Sequence, residues 1–313
     1  MSGRVAVTGA TGFIGWHVCE RLRDAGWHVA AIVRPESRKP LPDGVERVSA
    51  PLEAGALTEA CAHADTIVHV AGITRARAIS EYQRVNVLGT RAVAEAARAR
   101  DARMVHVSSL TAAGPASAGR PRTEADTPTP ITAYGRSKRE SERSVMATAG
   151  LRWMILRPGA VYGPRDRQFL PLFSLARHGI FLRLPNAASF ALNLVHVDDV
   201  ARAIERVVSG GAGDRETLFI AHPEPVSMDA VLKTLASTFE RVYRPVPVPI
   251  ALLRAGGWLR ISGLSAERVA ELTSAGFACR VDAAERSLGF RAGIDLAEGF
   301  RLTASWYRAS RWL

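Results

Sequence analysis

Short apolar runs alternate with amphipathic stretches along the first half of the chain. Six of these runs, GRVAVTG, HVAAIV, VERVSA, TIVHVAG, ARMVHVSS and LRWMILRPG, predict β-strands. The stretches 12–25, 80–100 and 134–149 repeat their apolar positions at helical spacing and predict helices. Strands that are almost continuously apolar and alternate with helices are typical of a parallel sheet covered on both faces. The sequence therefore predicts an α/β fold with a doubly wound parallel sheet.

The pattern becomes less regular after Pro158. NLVHVDDVARAIERVV predicts a strand followed by a helix with Asp198 as its N-cap, and ETLFIAHPE predicts another strand. From about Ser227 the sequence is mostly helical, although the proline-rich PVPVPI interrupts it. We expect the apolar segment 245–264 to pack in the core rather than to line a pocket or lie on a membrane. We also expect two domains, a larger one over 1–160 that is rejoined by about 193–221, and a smaller, mostly helical C-terminal one over 161–192 and 222–313.

Composition and charge restrict the class of protein. The chain has 313 residues, of which 47% are apolar and 23% charged, as is ordinary for a globular protein. Its net charge is +11, but acidic residues interrupt most basic stretches, which indicates a basic surface that would attract an anionic cofactor rather than a nucleic-acid interface. No run is long and apolar enough to span a membrane, and the amino terminus lacks an apolar signal core, so we expect a cytoplasmic protein.

Neither the cysteines nor the histidines indicate a metal site. The three cysteines have no metal-ligand spacing and predict buried thiols rather than a disulfide scaffold. The run of His196, Asp198 and Asp199 is better explained by the start of a helix than by metal ligation.

The segment TGATGFIG lies between the first predicted strand and the first predicted helix. Its glycines, Gly9, Gly12 and Gly15, allow a tight turn, a close approach of the backbone to a pyrophosphate, and close packing of helix against strand. The start of the helix would then offer free N–H groups to the phosphates. The sequence therefore predicts a Rossmann-type dinucleotide site in the larger domain.

The end of the second strand indicates which dinucleotide is bound. Enzymes that use NAD usually have an acidic residue there for the ribose 2′-hydroxyl, whereas enzymes that use NADP have arginine for the 2′-phosphate. Here Val33 is followed by Arg34, with Arg38 and Lys39 nearby, and we identify no acidic residue at this position. The pattern favours NADP(H). The alternative is NAD(H), with Arg34 as a solvated loop residue that stacks on adenine.

Tyr134 and Lys138 form a Y-x-x-x-K pair at the start of a predicted helix, so their side chains share one face. A nearby ammonium favours the tyrosinate, and it should lower the pKa of Tyr134 from about 10 towards working pH. Such a tyrosine can take a proton from an alcohol as hydride leaves, or give one to a ketone as hydride arrives. Ser109, just past the fifth strand, is placed to hydrogen-bond the same oxygen.

Together these motifs resemble those of the extended short-chain dehydrogenases/reductases of the NAD-dependent epimerase/dehydratase superfamily. The resemblance also covers HVAG, NVLGT, VSSLTAAG, RPGAVYGPRD, NLVHVDDVARAI and LGF. It implies that Tyr134 is the acid/base, that Lys138 supports it and contacts the nicotinamide ribose, and that Ser109 hydrogen-bonds the reacting oxygen. The remaining residues expected in the cofactor site are Thr11, Phe13, Ile14, Val70, Ala71, Gly72, Asn86, Ser108, Pro158 and Val161.

Departures from the family pattern narrow the range of reactions that the sequence predicts. Where the family's 4,6-dehydratases have Thr-Asp-Glu, this chain has Ser109, Leu110 and Thr111, so the acid/base pair for water elimination is missing. Nucleotide-sugar epimerases commonly have Asn at the position of Gly159, and the NLVHVDDVA form resembles dihydroflavonol-reductase-like and 3β-hydroxysteroid-dehydrogenase-like members. These differences favour an oxidoreductase that transfers hydride between nicotinamide and a secondary alcohol or ketone.

Two other functions stay open from the sequence. One is a nucleotide-sugar epimerase, which would hold its cofactor through the reaction cycle. The other is a non-catalytic module that senses the dinucleotide, although a sensor has no need of an acid/base such as Tyr134. The expected partner is a small-molecule substrate, apolar or a sugar derivative, with no nucleic acid, and a homodimer is a further expectation.

Overall fold

The computed structural model describes residues 3–210, 213–252 and 266–313. Its strands are β1 (Arg4–Thr8), β2 (His28–Val33), β3 (Glu46–Ser49), β4 (Thr66–His69), β5 (Arg103–Val107), β6 (Trp153–Pro158), β7 (Ala160–Tyr162), β8 (Phe181–Arg183), β9 (Ala191–Leu192), β10 (Leu194–His196), β11 (Glu216–Ile220), β12 (Val226–Ser227), β13 (Pro245–Pro247) and β14 (Gly276–Phe277). Its α-helices are α1 (Phe13–Asp24), α2 (Ala54–Ala60), α3 (Ile79–Tyr82), α4 (Gly89–Ala99), α5 (Ala133–Ala147), α6 (Leu170–Arg177), α7 (Val197–Val208), α8 (Met228–Thr238), α9 (Ala266–Leu272), α10 (Asp282–Leu288) and α11 (Leu296–Ala309).

Seven of these strands form one parallel sheet in the order β11-β6-β5-β4-β1-β2-β3. Its members are the six strands predicted from the first half of the sequence and the strand predicted at ETLFIAHPE, so the Rossmann-type α/β fold is confirmed. The strand order reverses between β1 and β4, and ligands of such sheets bind in the crevice beyond the carboxyl ends of the strands at that point. The sequence motifs of the candidate site follow these ends.

Helices cover both faces of the sheet, as the apolar strands predict. On one face, Leu22 of α1 and Ile204 of α7 are buried in a single apolar cluster with β1, β5 and β6. On the other face, Leu57 of α2, Val93 of α4 and Val145 of α5 are buried in a second cluster. This double cover fixes α1 and α5, which carry the glycine motif and the Tyr-Lys pair, against the same sheet.

The helix predicted at 80–100 is continuous but not uniform. α3 leads directly into a π-helical segment, Gln83–Leu88, which continues as α4. Asn86 lies in this wider segment and is buried. π-helical turns are frequent at functional sites, because the extra residue re-aims a side chain.

The rest of the chain adds an apolar core that is rich in aromatic side chains. The rings of Tyr162, Phe173, Phe300 and Tyr307 pack edge to face, with neighbouring centroids 5.1 to 5.3 Å apart. Residues between 284 and 292 pack instead in the core of the large sheet. We keep the two-domain division as a proposal, and this packing argues for counting α10 with the dinucleotide-binding domain.

The prediction that Asp198 is the N-cap of the helix in NLVHVDDVARAIERVV is wrong by two residues. α7 begins at Val197, and its N-cap is His196, whose Nδ1 accepts a hydrogen bond from the backbone N–H of Asp198 at 3.3 Å. Asp198 lies in the first turn, where its carboxylate is 3.2 Å from Nδ1 of His17 on α1. The imidazole therefore takes the capping position and frees the carboxylate to link the two helices on this face of the sheet.

The expectation that segment 245–264 packs in the core is wrong for residues 245–252. Among the described residues β13 pairs with β8 alone, and Val246 and Leu252 are exposed. The remainder of the segment, 253–264, lies outside the described residues. Within the described residues, no helix has the length and apolar character needed to cross a membrane.

Gly159, between β6 and β7, should not tolerate a side chain. A Cβ there would overlap the carbonyl oxygen of Asn193, which accepts a hydrogen bond from Ala160 N at 2.9 Å. We expect Gly159→Ala to destabilise the protein by about 1–3 kcal/mol, the usual cost of overpacking. The measurement is the shift of the thermal unfolding midpoint.

Gly55→Ala is the matched control, because no atom of the described residues lies within 4 Å of a Cβ at this helical glycine of α2. It should leave stability unchanged or raise it by at most about 1 kcal/mol. If the Gly159 and Gly55 variants unfolded at the same temperature, the close approach at Gly159 would not be a constraint.

Candidate active site

The glycine motif forms a tight loop at the start of α1. Gly9 has a φ of 74°, and a Cβ there would lie 2.5 Å from Ala71 N. A Cβ at Gly15 would overlap the carbonyl oxygen of Gly9. Gly12 is the N-cap of α1 and provides no side-chain cap, so N–H groups of the first turn are left for another acceptor. Such a cradle fits the pyrophosphate of a dinucleotide.

The loops after β2 and β4 flank this cradle, because both strands pair with β1. Arg34 follows β2 and is exposed. However, the expectation that no acidic residue lies there is wrong, since the carboxylate of Glu36 is 3.3 Å from Arg34 Nε. The acid was missed because it lies in the loop, two residues past the first arginine, rather than at the strand end.

Asn86 holds the loop after β4 in place. Its Oδ1 accepts a hydrogen bond from Ile73 N at 2.8 Å, and its Nδ2 donates to Ile73 O at 3.0 Å and to Ser137 Oγ at 2.9 Å. The amide thereby joins the loop after β4, at Ile73, to Ser137 of α5. Its hydrogen bonds are made within the protein, so a direct contact of Asn86 with the cofactor stays a prediction.

The structure brings Ser109, Tyr134 and Lys138 together where β5 ends and α5 begins. α5 begins at Ala133 and is capped by Thr132, whose Oγ1 accepts from Gly135 N at 3.1 Å. This cap places half-buried Tyr134 in the first turn, close to Ser109. Lys138, one turn further, is buried and donates from Nζ to Val107 O at 2.8 Å.

Burial moves the pKa values of both α5 groups towards their neutral forms. It raises the pKa of Tyr134 to about 12, although the nearby Ser109 hydroxyl opposes this rise. It lowers the pKa of Lys138 to about 8, opposed by the negative charge of Glu142. The predicted lowering of the Tyr134 pKa is therefore wrong for this structure, because burial raises that pKa by more than the Ser109 hydroxyl lowers it.

Glu142 is a site residue that sequence reasoning missed. Its carboxylate is fully buried and accepts hydrogen bonds from Ser108 Oγ at 2.6 Å and from Arg139 at 3.1 Å. Arg157 binds it with two parallel bonds, from Nε at 2.8 Å and Nη2 at 2.7 Å. The signal for this cluster was present, since Glu142 lies one turn after Lys138 and Arg157 interrupts an apolar strand.

Two buried histidines lie behind Lys138. The rings of His69 and His106 stack with centroids 5.3 Å apart. His69 is within hydrogen-bond distance of Thr8 Oγ1 at 2.7 Å and Thr90 Oγ1 at 2.9 Å. Burial, reinforced by the charge of Lys138, lowers the pKa of His69 to about 3 and that of His106 well below its usual range. Both rings are neutral, so His69 packs and forms hydrogen bonds rather than exchanging protons.

The C-terminal part of the chain reaches the same site. Glu267 of α9 accepts hydrogen bonds from Ala133 N at 2.8 Å and from Arg136 at 3.0 Å, directly beside Tyr134. Pro158 is the last residue of β6, and Val161 lies in β7, which comes directly after it. β6 pairs with β5, the strand that leads to Ser109. The Glu267 contact had no local sequence signal, because its partners are more than a hundred residues away.

Comparisons with known proteins agree with this geometry. A family model described as the NAD dependent epimerase/dehydratase family matches residues 5–218. The chain is 30% identical to a ceramide reductase of Caulobacter vibrioides, over 99% of this chain and 96% of that protein. It is 31% identical to 4-hydroxy-2-methyl-3-oxo-4-farnesyl-3,4-dihydroquinoline-1-oxide ketoreductase of Stigmatella aurantiaca, over 75% of this chain and 73% of that protein.

A solved structure supports the same conclusion. MoeE5 in complex with UDP-glucuronic acid and NAD has a TM-score of 0.80 at 28% identity, and the match covers 98% of this chain and 100% of that one. The glycine cradle, the Ser-Tyr-Lys set and these similarities agree with the resemblance found in the motifs. The chain therefore belongs to the NAD-dependent epimerase/dehydratase family of extended short-chain dehydrogenases/reductases, and is a nicotinamide-dependent oxidoreductase or epimerase.

Proposed function

We propose that the protein is an NAD(P)-dependent reductase that interconverts a ketone and a secondary alcohol on an apolar substrate. The observation that carries the proposal is the close placement of Ser109 and Tyr134, where the serine hydroxyl lowers the pKa of the tyrosine against the effect of burial, with Lys138 one turn away. Thr111, where a dehydratase would have its glutamate, donates a hydrogen bond to Ser109 Oγ at 2.8 Å and offers no carboxylate. Water elimination is disfavoured for this reason.

The roles of the three residues follow from their protonation. A reduced nicotinamide, when bound, supplies the hydride. Tyr134, whose pKa is raised, keeps its proton at neutral pH and can donate it to the ketone oxygen as that oxygen gains charge. Ser109 would hydrogen-bond the same oxygen, and the Lys138 ammonium would stabilise the tyrosinate left behind. In the direction of oxidation, the hydride and the proton each move the opposite way.

Two of the similar proteins support the choice of an apolar ketone as substrate. One is named a ceramide reductase and the other a ketoreductase of a farnesylated quinoline oxide. The similarity to MoeE5 keeps a nucleotide-sugar epimerase as the second candidate. Retention of the dinucleotide through purification would favour the epimerase, whereas free exchange would favour the reductase.

The three cysteines are buried free thiols, which suits the reducing cytoplasm. The homodimer stays a prediction.

We further propose that NADP(H) is preferred, with Arg34 on the 2′-phosphate. Titration of the purified protein should give tighter binding of NADPH than of NADH. Arg34→Ala should weaken NADPH binding about tenfold or more, since a charge-assisted contact is worth roughly 1.5–3 kcal/mol, and should change NADH binding little. Arg91→Ala, which removes an exposed arginine paired with Glu95 on α4, is the control. Equal or tighter binding of NADH by the wild type would reject the preference.

Tyr134→Phe should abolish turnover while leaving cofactor binding and folding nearly intact, because only one hydroxyl is lost. The expected loss is about 10²–10⁴-fold, the usual contribution of a positioned acid/base. Lys138→Met should be as damaging, and Ser109→Ala should cost less, on the order of 2–3 kcal/mol. Rates would be measured by oxidation of reduced nicotinamide with the best substrate of an apolar ketone panel. A Tyr134→Phe rate above about a tenth of wild type would contradict the mechanism.

Glu142 should set the pH range in which Lys138 is charged. The pKa of Lys138 is lowered to about 8, so kcat/KM, which reports ionisations of the free enzyme, should fall as pH rises through that value. The charge of Glu142 raises this pKa, and Glu142→Gln should therefore move the fall to lower pH. His69 and His106 face the same lysine but stay neutral throughout this range.

Ser108→Ala is the matched variant, because it removes one hydrogen bond from Glu142 without changing its charge. Its profile should keep the wild-type midpoint. A Glu142→Gln enzyme that lost thermal stability but kept the wild-type midpoint would show that Glu142 only supports the fold.

A further inference from the structure

The outer face of the β8–β13 pair is apolar. Leu182 and Val246 are register partners in this parallel pair, so their side chains lie side by side. Phe181, the residue before Leu182, is fully buried in the aromatic core. Because neighbouring side chains of a strand point to opposite faces, Leu182 and Val246 together point away from that core.

Three more apolar side chains lie close to this pair along the chain. We define the outer apolar edge as Ile180, Leu182, Val242, Val246 and Leu252, which are between 42% and 72% exposed. They are five of the nine exposed large apolar side chains in the described part of the protein. Such a concentration is unusual for a surface that faces only water.

The two segments that form the edge are held together by hydrogen bonds. Arg241 Nε donates to Arg177 O at 3.0 Å, and Val248 N donates to Arg183 O at 2.9 Å. Arg183 is itself held by two bonds to Asp229, at 2.8 and 2.9 Å. The edge is therefore a fixed feature of the fold.

Exposed arginines lie close to the edge along the chain. Arg177 ends α6, while Arg241 and Arg244 lie in the loop before β13, and within the described residues none of their guanidinium groups forms an ion pair. The one acidic residue between 240 and 252 is Glu240. An apolar surface rimmed by cations is complementary to a membrane that carries anionic lipid, since apolar side chains enter the interface and arginines meet the phosphates.

We propose that the outer apolar edge docks on the surface of an anionic phospholipid membrane. A second copy of the chain fits less well, because a twofold contact over this edge would bring Arg177, Arg241 and Arg244 towards their own copies. The docking does not depend on the proposed function. A membrane is also where an apolar ketone would be found, a consequence that does rest on that function.

The test is flotation of the full chain with vesicles of phosphatidylcholine alone or with added phosphatidylglycerol. The protein should float with the anionic vesicles and remain behind with the neutral ones. Leu182→Ser with Val246→Ser should reduce the partition coefficient at least tenfold. Arg177→Ala and Arg244→Ala should reduce it by about fivefold each, the effect of roughly 1 kcal/mol per basic residue.

The matched control is Ile79→Ser with Leu88→Ser, which removes two exposed apolar side chains from another surface. It should float like the wild type, and all variants should unfold at the wild-type temperature because the replaced side chains are exposed. Failure of the wild type to float with anionic vesicles would overturn the proposal, as would equal losses in both serine pairs.

Self-association provides a further outcome. If the wild type formed a dimer without vesicles, and the Leu182 and Val246 pair of substitutions abolished that dimer, the edge would be a contact between copies and the proposal would fail. Turnover of a water-soluble ketone by the same pair should equal that of the wild type, which separates loss of docking from loss of catalysis.

Discussion

The buried carboxylate of Glu142 is the interaction on which the site depends. An unpaired carboxylate in the interior would cost several kcal/mol, so it is stable there only with donors around it. Its donors come from three places, Ser108 at the end of β5, Arg157 in β6 and Arg139 in α5. Because removing one partner of such a pair typically costs about 3–5 kcal/mol, the three elements cannot shift independently. The residues they carry are held in one geometry.

This ion cluster also explains how a buried lysine can keep a charge. Burial alone drives Lys138 towards its neutral form, and the nearby histidines contribute no negative charge. Glu142 acts in the opposite direction from one turn away. The resulting pKa of about 8 leaves Lys138 mostly protonated at neutral pH, beside a tyrosine whose own pKa is near 12. That combination suits proton donation to a ketone, since the proton is on Tyr134 and the balancing cation is in place.

The sequence predicts the sheet, the glycine loop and the Tyr-Lys pair well, because each depends on local pattern. Continuous apolar runs specify strands buried on both faces, and a four-residue spacing on a helix puts two side chains on one face. The cap of α7 was misplaced because aspartate is a common N-cap and histidine is not, whereas here His196 accepts from Asp198 N and the Asp198 carboxylate faces His17. Glu267 could not be predicted, since its contact with Ala133 closes a long loop.

The backbone around Gly159 determines whether position 159 can carry a side chain. Nucleotide-sugar epimerases resemble this chain but commonly have asparagine at that position, where here the carbonyl of Asn193 fills the space of a side chain. Asn193 cannot withdraw freely, because its amide donates to His222 O at 2.7 Å and accepts from Cys279 N at 2.8 Å. Because the backbone at Asn193 is fixed in this position, residue 159 has room for glycine but not for a side chain. Main chain therefore fills the space that the asparagine expected in an epimerase would need.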